Sequence, residues 1–212
     1  MPDSRILRHL LRTFRVRRMR LFQQVFHVTG QTRVLDVGGS PEIWDYAAVR
    51  PNLTIVNLPS AIERLDRVTA QVAADGCLLP FRDQAFDIVF SNSVIEHVGD
   101  IAQQRRFSRE IARVGRCYWV QTPNRGFPIE QHLLLPFVHQ LPLSWRPPIV
   151  KRLTGWELIA RPSPAQREYY IHHFLHELRL LNAADLRDLF PDSRLLSEKV
   201  CGLTKSLIAV RS

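Results

Sequence analysis

The sequence predicts an α/β fold, a doubly wound and mostly parallel sheet with helices on its faces, and three observations predict it. Arg33-Val34-Leu35-Asp36-Val37-Gly38-Gly39-Ser40-Pro41 reads as a buried strand with an acid near its end, a sharp turn on paired glycines, then a helix start. An apolar run of this kind suits a parallel strand covered on both faces. Phe86-Asp87-Ile88-Val89-Phe90 repeats the pattern. Elsewhere short apolar runs alternate with helical spacings, which implies parallel strands joined by crossovers.

The elements follow in order. Seven arginines fall in the first twenty residues, at 5, 8, 12, 15, 17, 18 and 20. Ile6, Leu7, Leu10, Leu11 and Phe14, then Leu21, Phe22, Val25 and Phe26, recur among them at helical spacing, so residues 1–30 read as a basic amphipathic segment. Three roles are open to it: a helix capping the core with a solvated arginine face, a surface docking on anionic lipid or a phosphorylated substrate, or a transit peptide. Residues 31–212 read as the α/β domain. Strands are expected near 34–37, 53–57, 71–73, 87–90 and 118–121, with helices over 41–49, 61–68 and 101–114. Pro123, Pro128, Pro136, Pro142, Pro147, Pro148, Pro162 and Pro164 then break the rhythm. This marks an insertion over about 122–181 whose last part, from Ala165, returns to helix. A helix over 183–190 and a hairpin near 195–200 and 206–210 close the chain.

Composition narrows the function classes. A chain of 212 residues can bury a full core without staples. Cys77, Cys117 and Cys201 are far apart and form no C-x-x-C, so neither a zinc site nor a disulfide framework is expected, and a reducing cytoplasm is. Leu133-Leu134-Leu135 is cut short by Pro136, and no run has the length of a membrane span. His172, His173, His176 and Glu177 share a helical spacing, yet no further ligand follows at a recognisable interval and no metal is expected. The net charge of +9 comes with no nucleic-acid recognition module, so a nucleic-acid partner is not expected.

The glycine turn, the acid-bearing Ala73-Ala74-Asp75-Gly76-Cys77-Leu78-Leu79-Pro80-Phe81, and the strand and loop Phe86–His97 occur in that order. Together they resemble the class I S-adenosylmethionine-dependent methyltransferases, in particular the small-molecule, ubiquinone/menaquinone C-methyltransferase-like branch (methyltransferase type 11). The resemblance runs from Val34 to Pro123. It implies a Rossmann-like seven-stranded sheet, with Gly202–Val210 as its last strand, and S-adenosyl-L-methionine as cofactor. Because the methyl sits on a sulfonium, such an enzyme chiefly aligns acceptor and cofactor for in-line displacement.

The resemblance also implies roles. Asp36 would support the turn and the methionine end, with Gly38, Gly39 and Ser40 close to the cofactor. Asn57 and Leu58 would face the ribose, Asp75 the adenine amine with Gly76 and Cys77 beside it, and Asn92 the methionine moiety. Glu96 and His97 would stand at the mouth, His97 as a base for a hydroxyl acceptor or as a loop support. His132, in the cover, would contact the acceptor. Two departures stand out: the usual three alternating glycines are Gly38, Ser40 and Glu42 here, and Asn57 replaces an acid, keeping a hydrogen bond without its charge assistance. The expected acceptor is a small molecule, a sugar or a lipid-linked compound, with peripheral contact to an anionic membrane through the arginine-rich segment. Two alternatives remain. One is a catalytically silent binding module on the same fold. The other is an NAD(P)-dependent oxidoreductase, against which G-x-G-x-x-G spacing is missing.

Overall fold

The computed structural model describes residues 4–59, 70–130, 135–138, 141–142, 145–146, 149, 163–176 and 178–212. The expected helix over 61–68 and candidate residue His132 lie outside them, as do Glu177 and the side chains of His173 and His176.

Helix α1 (Ser4–Phe26) leads into strand β1 (Arg33–Val37), short helix α2 (Pro41–Trp44), β2 (Asn52–Asn57), β3 (Ala70–Ala73) and β4 (Phe86–Asn92). A single 3₁₀ turn at Ile95–His97 precedes α3 (Ile101–Val114) and β5 (Gly115–Pro123). A two-stranded ribbon, β6 (Ile129–Glu130) and β7 (Leu135–Pro136), then α4 (Pro164–His176), α5 (Ala183–Leu189), β8 (Arg194–Val200) and β9 (Leu203–Arg211) complete the chain. The seven-stranded sheet has the order β3-β2-β1-β4-β5-β9-β8. It is parallel from β3 to β5, and β9 enters antiparallel between β5 and β8. The architecture is therefore Rossmann-like, and the strand order reverses between β1 and β4.

Both faces are buried, which explains the unbroken apolar runs. Val34, Ile88, Phe90, Trp119, Ile208 and Val210 pack on one face with Met19 and Phe22 of α1 and Trp44 of α2. Leu35, Val37, Val89, Tyr118, Val120, Leu207 and Ala209 alternate onto the other, against Phe107 and Ile111 of α3 and Leu186 of α5. This period-two division is what a strand buried on both sides requires. Phe22 is a hub: its ring lies 5.0 Å from Phe90, 5.8 Å from Trp119 and 6.0 Å from Trp44.

Two helices differ from expectation. The helix expected over 41–49 stops at Trp44 because Gln23 of α1 takes the backbone that would continue it. Its Oε1 accepts from the N–H groups of Ala48 and Val49, and its Nε2 donates to the Val49 carbonyl. Helix α4 ends at His176, short of Leu181. The Arg179 N–H donates to the Glu96 carbonyl at 2.8 Å, and Leu181 bridges to Asn124.

The arginine face of α1 also divides. Arg12, Arg15, Arg17 and Arg20 are exposed, but Arg18 is 7% exposed. It forms a two-pronged ion pair with Glu198 and donates to Asn92 Oδ1 and, at 3.0 Å, to Gln121 Oε1. A buried guanidinium is tolerated only with such partners. It fixes α1 across the ends of β4, β5 and β8.

Candidate functional site

Open α/β sheets bind ligands beyond the carboxyl ends of their strands, where the strand order reverses. Here that place lies past β1 and β4. The Gly38 N–H donates to Val56 O at 2.7 Å, and its φ is +74°. A Cβ at Gly38 would stand 2.6 Å from a Val94 methyl, and one at Gly39 would stand 1.9 Å from the Asp36 carboxylate. The turn is therefore closed to side chains at both glycines, and its backbone is left open to a ligand.

Gly38 lines two cavities. One, of about 320 Å³, is walled by Asn57, Leu58, Asp75, Gly76, Cys77 and His97, with Phe107 and Gln103 of α3 opposite. The other, of about 340 Å³, holds Asp36, Gly39, Ser40, Glu42, Asn92 and Arg15. Each is within the range of small-ligand sites.

The wall residues are held locally. Asp75 Oδ1 accepts from the Cys77 N–H at 2.8 Å, so the carboxylate forms its own tight turn at the end of β3. Asn57 Nδ2 donates to the Gly39 carbonyl at 2.9 Å, which ties the end of β2 to the glycine turn. An acid at 57 could not make that bond, because the partner is an acceptor. Burial, with Asp75 nearby, pushes the Cys77 thiol up to about 11, which excludes it as a thiolate at neutral pH.

Asp36 is the most perturbed of these groups. It is fully buried, Trp44 Nε1 donates to its Oδ2 at 2.8 Å, and its Oδ1 has no partner. Burial pushes its carboxyl from the ordinary 3.8 up to about 7, against the opposing effect of the Trp44 bond. An orphaned carboxylate oxygen beneath an open glycine turn fits a ligand carrying a cationic amine. Arg15, on the same cavity, adds a group suited to a carboxylate.

Glu96 and His97 separate. His97 lines the first cavity, whereas Glu96 is fully buried and accepts from Thr122 Oγ1 at 3.0 Å. The His97 ring stands 3.9 Å from the Glu96 carboxylate. Asn92 has its Oδ1 on Arg18 while facing the second cavity. The sequence carries no sign that Gln103 and Phe107 belong to this site, and it offers Arg15 and Arg18 only as members of the arginine-rich segment. Trp44 has one local signal, that of a tryptophan eight residues after the acid with a proline-started turn between.

The family model for a methyltransferase domain matches residues 35–117, from β1 into β5. Over that segment the chain is similar to the methyltransferase domain family. No curated protein matches it. Among solved structures, a methyltransferase of Archaeoglobus fulgidus superposes with a TM-score of 0.57 at 13% identity, covering 94% of each chain. A Rhodobacter sphaeroides protein assigned provisionally to the zinc-dependent alcohol dehydrogenases gives 0.55 at 12%, over 92% of this chain and 88% of that one. Magnesium protoporphyrin IX methyltransferase of Synechocystis, solved with S-adenosylhomocysteine, gives 0.51 at 13%, over 93% and 82%. At such identities these likenesses are of fold. The likeness to a methyltransferase domain lies in the matched segment, which carries the glycine turn, Asn57, Asp75 and His97.

Proposed function

We propose that the chain is an S-adenosylmethionine-dependent methyltransferase acting on a small-molecule, sugar or lipid-linked acceptor, with its cofactor across the two cavities that meet at Gly38. The observation that carries this reading is their shared wall. Asp75 and Asn57 line one cavity, Asp36 and Arg15 the other, and the open glycine turn lies between them.

Asp75, with Gly76 and Cys77, would face the adenine, and Asn57 and Leu58 the ribose. Because Nδ2 of Asn57 is engaged by Gly39, its Oδ1 is the atom left to accept from a ribose hydroxyl. Asp36 and Arg15 would take the ammonium and carboxylate of the methionine end, each meeting its opposite charge. When bound, S-adenosylmethionine supplies a methyl group on a cationic sulfur. The chain's contribution is alignment and exclusion of water, which can account for several kcal/mol of barrier. His97, on the cavity wall, would accept a proton at its ring nitrogen from a hydroxyl acceptor, with Glu96 holding the turn from below. The exposed arginines of α1 would meet an anionic membrane surface at which a lipid-linked acceptor resides, on the cytoplasmic side. Among the described residues no helix is long and apolar enough to cross a membrane.

The test is methyl transfer from deuterated-methyl S-adenosylmethionine to a panel of sugars, lipid-linked glycans and quinone precursors, read by mass spectrometry. Methylated product in one class, lost in His97→Gln while S-adenosylhomocysteine still binds, is the expected result. Cofactor binding with no transfer to any class would instead favour the silent binding module.

A further inference from the structure

A further cavity, of about 510 Å³, is not one of these two. Asp100, Ile101 and Gln104, at the start of α3, line it. Gln103 lines the cofactor cavity, and the next residue, Gln104, lines this one. Three guanidiniums reach it from separate segments: Arg125 just after β5, Arg146 in the proline-rich insertion and Arg179 in the strap after α4. No spacing in the sequence relates them; only the fold brings them together.

The carboxylates on this wall are already committed to helix starts. Asp100 Oδ1 accepts from the Gln103 N–H at 2.8 Å to cap α3. Asp185 Oδ2 accepts from the Asn182 N–H at 2.9 Å in the capping box of α5, with Arg125 at 3.5 Å. Arg146 is half-buried with its Nε on the Leu141 carbonyl, and burial together with the Arg179 charge pulls its pKa down from the ordinary value. The half-buried Arg146 and the exposed Arg179 thus bring two like charges to one cavity. Arg179 is exposed, but its backbone is held. Its N–H donates to Glu96 O, and its carbonyl accepts from Gln104 Nε2 at 3.1 Å, the same amide that also donates to Ile95 O. Leu181, Leu178 and Ile101 supply an apolar side to the cavity.

We infer that this cavity binds a phosphate group of the methyl acceptor. Guanidinium forks match phosphate oxygens in pairs, and three of them suit a dianion better than a single carboxylate. The apolar side suits the organic part of a phosphate monoester. The bond from the Arg179 N–H to the Glu96 carbonyl ties the strap of the phosphate subsite to the short turn that carries His97, so binding at one positions the acceptor relative to the other. The inference deepens the methyltransferase reading and rests on it.

The full chain, saturated with S-adenosylhomocysteine, should be titrated calorimetrically with two phosphate monoesters, glycerol 3-phosphate and dihexanoyl phosphatidic acid below its micelle concentration. Both are expected to bind. Equal affinity points to a free phosphorylated acceptor, and tighter binding of the lipid to a headgroup beside the apolar side. In the Arg146→Gln/Arg179→Gln variant the affinity should fall by roughly tenfold or more, as loss of two charge-assisted contacts implies, with S-adenosylhomocysteine affinity unchanged. If that variant does not fold, Arg146→Lys and Arg179→Lys keep the charge but not the fork, and each should weaken phosphate severalfold. Methyl transfer should be confined to the phosphate-bearing members of a sugar panel. No binding of either monoester at millimolar concentration, equal binding by the variants, or equal methylation of phosphate-free members would overturn the inference. Loss of S-adenosylhomocysteine binding by the unaltered protein would overturn the methyltransferase reading itself, a separate outcome.

Discussion

Replacing Asp36 by Asn should stabilise the ligand-free protein at alkaline pH and weaken cofactor binding, two effects of opposite sign from one buried carboxyl. Its folded value of about 7 lies above its ordinary 3.8, so the folded state holds a proton that the unfolded chain has released. The stability tied to that proton is fully present below 3.8 and is lost as pH rises to about 7. The whole loss is about 4 kcal/mol, at roughly 1.4 kcal/mol per pH unit between the two values. Asn keeps an acceptor for Trp44 Nε1 but places an amide N–H where Oδ1 has no partner, which costs roughly 1–3 kcal/mol. The net gain above pH 7 is therefore about 1–3 kcal/mol, or several degrees in melting temperature for a domain of this size. The assay is the difference between variant and wild-type melting temperatures as a function of pH. Asp87 and Glu110, held low by arginine partners, and Asp192, held low against burial by the Tyr118 hydroxyl and then Arg211, contribute equally to both proteins and cancel. The difference should grow between about 3.8 and about 7 and then level off. Cofactor binding runs the other way, since an ammonium prefers the ionised carboxylate. Wild-type affinity for S-adenosylhomocysteine should fall by up to roughly tenfold per pH unit below about 7, and the Asn variant should lose that dependence. A melting difference that does not change with pH would refute the buried-proton argument.

Asn57→Asp should weaken S-adenosylhomocysteine binding by roughly 1–3 kcal/mol, because the Gly39 carbonyl loses its donor and faces a carboxylate; equal calorimetric affinities would show that this bond does not shape the site. Asp75→Ala should cost a similar amount, roughly 1–3 kcal/mol, for adenosine as well as for S-adenosylhomocysteine, and unchanged affinity for both would remove Asp75 from the adenine wall. Arg15→Gln should weaken S-adenosylhomocysteine by up to about 1 kcal/mol, the range of an exposed ion pair, without changing adenosine; an equal effect on both would place Arg15 elsewhere. Replacing the exposed Arg12, Arg17 and Arg20 by Gln should abolish sedimentation with anionic vesicles at low salt while sparing cofactor affinity. Wild-type protein that fails to sediment would end the membrane proposal.

Local signals and long-range ones were unequally legible. Asp36, Gly38, Asn57, Asp75 and Gly76 each end or closely follow a short apolar run, so a strand-and-turn pattern placed them at the carboxyl edge of a sheet without any tertiary information. Uninterrupted apolar runs marked the strands buried on both faces, such as β1 and β4, whereas β3 and β8, with no buried residue, were marked by short runs near turns. Arg18 was indistinguishable from six neighbouring arginines. Only its position over Asn92, Gln121 and Glu198 turns it from a solvated charge into an anchor. Helix α2 was read too long because its competitor, Gln23, lies on another element. Glu96 and His97, adjacent in the chain, looked alike in sequence, yet the 3₁₀ turn sends one side chain into the core and the other to the cavity. The arginine cavity left no trace in sequence, since Arg125, Arg146 and Arg179 are related only through the insertion and the strap.

The most direct test of the central claim is a crystal structure of the protein with S-adenosylhomocysteine. The account predicts the adenine beside Asp75, Gly76 and Cys77, the ribose at Asn57, and the amino-acid end over Gly38 and Gly39 with its ammonium toward Asp36 and its carboxylate toward Arg15. Density for the ligand outside the two cavities that meet at Gly38, or an amino-acid end turned away from Asp36, would contradict it.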